Sequence, residues 1–239
     1  FTQRMEGNVV SQIGLGTSSA KLFTVSFWVR SNKTGTYCVS IRNVSGTRSI
    51  ASEYSISSAD TWEHKEVTFS GDTTGSYNTG NTEAFNVNFV LLAGTNYDGK
   101  TANTWEANTN FATDNQVNLF DSTSNEWYVT GVQLEVGDTA TPFEHRSYGN
   151  ELAACQRYYL QQVIDIQTPI GGYMIVPIYF PTTMRAAPAA SAVAAGSTAG
   201  GLVSEGISGL HTQGAYYQVQ SSANSNYRLA RIDAYSAEL

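Results

Sequence analysis

Residues 127–145 read WYVTGVQLEVGDTATPFEH. Along an extended chain Tyr128, Thr130, Val132 and Leu134 fall on one side and Val129, Gln133 and Glu135 on the other, the period-two alternation of a strand between two environments. Gly131 interrupts the run, and a glycine inside a strand marks a bulge or a close backbone approach. One strand cannot build the core that its apolar side needs. The residues before it are therefore expected to supply the other strands, and those after it to form an appendage.

The upstream pattern fits that expectation. Residues 2–12 read as an opening strand. Residues 22–31 carry the clearest alternation in the chain, with Phe23, Val25, Phe27 and Val29 on one face and Thr24, Ser26, Trp28 and Arg30 on the other. Tyr37, Val39 and Ile41 oppose Cys38, Ser40 and Arg42 after the Lys33-Thr34-Gly35 turn, a hairpin signal. Strands follow over 49–57 and 62–70, the latter with Trp62, Val67 and Phe69 as packing residues. Phe85, Val87, Phe89 and Leu91 then alternate with Asn86, Asn88 and Val90. Residues 93–118 lose periodicity, and a loop of that length usually has a task. Its large side chains, Tyr97, Trp105 and Phe111, suit either anchors to its own domain or the rim of a cleft. With the strand at 127, about eight short strands separated by turns predict an all-β sandwich.

Downstream the chain changes character. Leu152, Cys155, Tyr159 and Val163 recur at helical spacing through ELAACQRYYLQQV, with Ser147 or Asn150 as cap, which predicts a connecting helix over 147–164. Strand-like runs at 172–180, 189–195, 215–221 and 227–235 then predict a β domain over 165–239, after a first domain over 1–146. All four tryptophans lie before residue 150, which supports the division. The alanine-rich AAPAASAVAAGSTAGG offers little apolar area. A domain of this size is marginal alone, so association would supply the missing burial.

Composition narrows the function. Only 14% of residues are charged and the net charge is −7, which disfavours a phosphate backbone as partner. No apolar run has the length of a membrane span. The first residue is phenylalanine, which leads us to expect a segment of a longer polypeptide whose preceding part anchors it. Cys38 and Cys155 lack metal-ligand spacing and are expected to be buried or half-buried free thiols. His64, His145 and His211 form no zinc motif, and neither a nucleophile elbow nor a P-loop is present. No catalytic residue, metal or cofactor is assigned.

Several stretches resemble phage virion proteins, especially tail-fibre and related appendage proteins. They are FTQRMEG (1–7), FTVSFWVRSNKTGTYCVSIRN (23–43), TWEHKEVTFSGDTTG (61–75), GVQLEVGDTATPFEHRSYGNELAACQRYY (131–159), FPTTMRAAP (180–188) and the terminal AEL. The resemblance covers most of the chain and is densest before residue 160. It implies a jelly-roll β-sandwich similar to carbohydrate-binding modules, a short helix and a small C-terminal β-sandwich that forms a homotrimer at the distal tip. It also implies a place in the virion, joined to other virion proteins.

These readings converge on adhesion to host surface polysaccharide, with three weak sites on one fibre acting together. Trp28 would stack on a sugar ring, and Arg30, Asn86, Asn88, Gln133 and Glu135 would hydrogen-bond its hydroxyls from the same face. Two alternatives stay open at this point. Trp28 also suits a second packing layer and the asparagines a hydrated outer face, as in a purely structural spacer. A glycan depolymerase would need two facing carboxylates, with Glu135, Glu83 and Asp98 as candidates.

Overall fold

The computed structural model describes residues 1–168, 171–194, 198–199, 202–221 and 227–238. Among these, no helix is long and apolar enough to cross a membrane. The chain divides into two compact units, residues 1–144 and 145–238. It is all-β, with several antiparallel sheets.

Unit 1 contains seven strands: β1 (Thr2–Glu6), β2 (Phe23–Ser31), β3 (Gly35–Asn43), β4 (Ser49–Ile56), β5 (Glu63–Phe69), β6 (Glu83–Val90) and β7 (Trp127–Val136). They form a four-stranded sheet, β1-β6-β3-β4, and a three-stranded sheet, β5-β2-β7, in a jelly-roll type of sandwich. The alternation read from β2 holds: Phe23, Val25, Phe27 and Val29 are wholly buried in the core. Phe27 meets Phe89 of β6 edge to face at 4.9 Å and Tyr54 of β4 at 5.1 Å. These contacts bring both sheets into one core, which also holds Val39, Ile41, Val67 and Phe69.

Three expectations for this unit need correction. The opening strand ends at Glu6 and gives way to a helical turn, α1 (Gly7–Val10), and a 3-10 turn (Ser11–Ile13). Val10 and Ile13 are both buried, and a spacing of three places them on one side only in a helical turn. The alternation of β7 also changes phase. Tyr128 and Thr130 pair with Arg30 and Trp28, but Gln133 and Glu135 pair with Ser26 and Thr24, with a bulge between. Gly131, at φ +58°, takes up the extra residue, so Leu134 faces the core and Gln133 and Glu135 share the outer face with Tyr128. Trp62 precedes β5 and is 42% exposed. Its parity with His64 and Glu66 sets it opposite Val67 and Phe69.

The long loop after β6 covers part of the outer face of the four-stranded sheet. Cys38, Val90 and Ala112 form a small second core there, flanked by Phe111. The fully buried Lys100 ammonium donates to Ser49 O at 2.8 Å, to Asn108 Oδ1 at 3.1 Å and to Glu106 Oε2 at 3.2 Å. Trp105 Nε1 donates to Ser70 O at 2.7 Å. Trp105 thus serves as an anchor, whereas Tyr97 stays 49% exposed.

In unit 2, Ser147 caps α2 (Tyr148–Gln156), accepting from Asn150 N. The helix expected over 147–164 is therefore cut short: β8 (Tyr159–Thr168) pairs along its whole length with β14 (Tyr227–Ser236). Helical and strand spacing both fit Tyr159 and Val163, and the distant partner strand decides between them. β10 (Ala189–Ala194) and β11 (Thr198–Ala199) flank the other side of β14. A second sheet runs β12-β13-β9, from β9 (Tyr173–Tyr179), β12 (Leu202–His211) and β13 (Gly214–Ser221). Ala195, assigned to a strand above, lies outside the described residues, as does part of the alanine-rich stretch. Leu160, Ile178, Met184, Tyr217 and Tyr235 lie in the core. Within FPTTMRAAP, Phe180 packs against Tyr235 with tilted rings whose centroids lie 4.9 Å apart, and Arg185 Nε donates to Ala237 O at 2.7 Å.

Candidate functional site

The outer face of β5-β2-β7 presents side chains in rows set by the strand register. Trp28 lies between His64 and Thr130, and Ser26 between Glu66 and Gln133. Trp28 is 44% exposed, and its ring lies 5.3 Å from that of His64. Beyond it, Arg30 Nη2 donates to Asp60 Oδ1 at 3.3 Å, and the guanidinium lies 5.7 Å from the Tyr128 ring centroid. Tyr128 in turn approaches Trp62 at 6.5 Å. Its hydroxyl donates to Glu126 Oε2 at 2.7 Å, which raises its pKa.

The segment after β7 folds back over this face. Thr141 N and Oγ1 donate to the two Glu135 oxygens at 3.0 and 2.6 Å. Gln133 Nε2 donates to Thr141 Oγ1 at 3.2 Å, and Gln133 Oε1 accepts from Glu144 N at 2.8 Å. The Thr141 hydroxyl and Gln133 hold the Glu135 carboxyl below its usual pKa. The result is a depression of about 320 Å³ with Ser26 and Gly131 on its lining, Trp28, His64 and Glu66 on the sheet side, and Ala140, Thr141, Pro142 and Phe143 on the returning side. A Cβ built on Gly131 would lie 3.4 Å from Trp28 Cδ1 and 3.8 Å from Phe143 Cδ2. The glycine therefore leaves open the floor between two aromatic rings, both 44% exposed.

The six residues expected on one face are divided by the fold. Trp28, Arg30, Gln133 and Glu135 lie on the outer face of the three-stranded sheet, but Asn86 and Asn88 belong to β6 of the other sheet. There they line a second depression of about 320 Å³, with Thr2, Arg4, Arg42, Asn43, Val44, Glu83 and Phe111. Phe85, Val87 and Phe89 fill the core, so the intervening asparagines face away from it, on the side of the sandwich opposite Trp28. They form a chain of hydrogen bonds: Thr2 Oγ1 to Asn88 Oδ1 at 2.9 Å, Asn88 Nδ2 to Asn86 Oδ1 at 2.9 Å, and Asn86 Nδ2 to Glu83 Oε1 at 3.0 Å.

The same division separates two of the carboxylates considered for glycan hydrolysis. Glu135 is pinned to Thr141 on one sheet, and Glu83 is bonded to Asn86 and lies 3.6 Å from Arg4 on the other. They do not face each other across one cleft, as general acid and base must.

His64, Glu66, Tyr128 and Phe143 were missed as site residues. For His64 and Glu66 a signal exists, since they alternate with the buried Val67 and Phe69. Phe143 follows no periodicity, because an irregular returning segment places it.

No family model matches the chain, and no curated protein matches it. Among solved structures, recombinant discoidin II of Dictyostelium discoideum is similar over 92% of this chain and 73% of that one, at 11% identity and a TM-score of 0.24.

Proposed function

We propose that unit 1 is a carbohydrate-binding module and that a sugar ring lies between Trp28 and Phe143. The observation that carries this is the pair of half-exposed aromatic rings facing the bare Gly131 backbone. An indole or phenyl face packs on the C–H face of a pyranose, and the polar groups around it set orientation. Ser26, His64 and Glu66 line the same depression. Gln133 and Glu135 have a different task in this reading: they hold the Thr141 wall in place.

We further propose, from the resemblance to tail-fibre proteins, that the chain is part of a virion appendage that adheres to bacterial surface glycans as a homotrimer. Outward-facing Tyr173, Ile175, Tyr179 and Tyr216 on the β12-β13-β9 sheet support self-association through unit 2. Three linked sites convert weak contacts into firm attachment.

The test is an array of bacterial surface polysaccharides probed with wild type and Trp28→Ala, alongside sedimentation to establish the oligomer. Wild type is expected to retain a subset of glycans, with at least about tenfold weaker binding in a folded Trp28→Ala, a loss of about 1.4 kcal/mol. Unchanged binding by the folded variant would refute the site. Absence of any glycan binding by wild type would leave the face to an assembly role.

A further inference from the structure

We propose that the depression on the outer face of the four-stranded sheet is a second, independent site, and that it takes a sugar bearing a carboxylate. Its central group is Arg42. The guanidinium lies over the Phe111 ring, 5.2 Å from the centroid. On another side it abuts Gly46, at φ +66° in the β3–β4 turn, where any Cβ would collide with Nη2. Cation–π contact and the bare turn together hold the side chain in one place.

Arg42 is nevertheless uncompensated. Arg4 lies 3.6 Å from Glu83, Arg30 3.3 Å from Asp60 and Arg48 2.6 Å from Asp72, but Arg42 has no carboxylate within ion-pair distance among the described residues. A fixed guanidinium with open N–H groups matches the two oxygens of a carboxylate as a planar fork. One uncompensated positive charge suits a monoanion better than a phosphate dianion. The remaining surroundings suit the rest of a sugar ring. Asn86 Nδ2 keeps a second proton beyond its bond to Glu83, and the Thr2 hydroxyl keeps lone pairs beyond its bond to Asn88. Val44 and Phe111 give an apolar rim. The site stands apart from the Trp28 site and does not depend on it.

The experiment is a calorimetric titration of the full chain with methyl glucuronoside, its neutral methyl ester, methyl glucoside and inorganic phosphate. The variants are Arg42→Met, Asn86→Asp and Trp28→Ala. Wild type is expected to bind the acid at least tenfold more tightly than the ester or the glucoside, with affinity falling as salt is raised. Arg42→Met should abolish that preference and Trp28→Ala should leave it intact. Asn86→Asp, which adds a negative charge without removing volume, should weaken the acid several-fold and decides the matter if Arg42→Met fails to fold. Equal binding of acid and ester, no binding of the acid, equal binding of phosphate, or a preference that survives in folded Arg42→Met would each overturn the assignment.

Discussion

Replacing Gly131 separates the two roles its backbone plays. At φ +58° the residue occupies the left-handed region, which costs an alanine roughly 1–2 kcal/mol. The steric share is small, because the new methyl would meet Trp28 Cδ1 at 3.4 Å and Phe143 Cδ2 at 3.8 Å, close to ordinary contact distances. Gly131→Ala should therefore lower the melting temperature of unit 1 by roughly 2–8 °C. Asparagine tolerates this conformation better than alanine, so Gly131→Asn should be the more stable of the two. Binding should rank in the opposite order. Alanine intrudes one methyl on the floor, whereas asparagine fills the space between the rings and should weaken glycan binding about tenfold or more, an overpacking cost of about 1–3 kcal/mol. Thermal unfolding read from near-ultraviolet dichroism, beside titration of the best-retained glycan from the array, gives both orders. If alanine proves as stable as wild type, the bulge has been misread; if asparagine binds as wild type does, the sugar does not lie over Gly131.

Three further outcomes are expected. Asp72 is almost wholly buried and takes both Nε and Nη2 of Arg48, at 2.9 and 2.6 Å, as well as the Tyr77 hydroxyl at 2.8 Å; Asp72→Asn should cost unit 1 about 3 kcal/mol in denaturant unfolding, and adding Arg48→Met should recover part of it. Burial alone would raise the Glu106 pKa, but the Thr101 N–H, Asn108 and Lys100 outweigh it and bring the value down from 4.5 to about 2. Its folded pKa is thus depressed, so its contribution is complete above about pH 4.5 and is lost as the pH falls toward 2, a decline in Trp105-loop hydrogen-exchange protection that Glu106→Gln should lack in that window. Cys155 is exposed, whereas burial raises the thiol pKa of Cys38, so iodoacetamide should label one site in the native protein and both after unfolding.

The parts legible in the sequence are those that local period decides. The inward rows of β2 and β6 follow from alternation alone, because a strand with one buried face cannot slip by one residue without exposing its whole apolar set. Which sheet a strand joins is not local. Asn86 and Asn88 share with Trp28 the property of facing away from the core, and only the insertion of β6 between β1 and β3 shows that they face the other way. The first part of β8, residues 159–164, fits the helical expectation as well as the strand because its apolar residues suit both periods until β14 is brought beside it. The Gly131 bulge was visible as an interruption, but the phase change that sets Tyr128 and Thr130 on the outer face beside Gln133 and Glu135 was not, since an inserted residue can fall on either side of a glycine. Phe143 and the wall around it arise from side-chain bonds to an irregular segment.

The bonds that fix that segment also set how the module answers to load. Residues 141–144 are the last stretch of unit 1 before unit 2 begins, so tension carried from one unit to the other enters unit 1 through them. The contacts that resist it first are those of Thr141 and Glu144 with Gln133 and Glu135, not a strand of either sheet. Rupture there would strip the Phe143 side from the depression while the sandwich stayed folded. If a sugar lies in that depression, as proposed above, it would be released under load before the sandwich lost its structure.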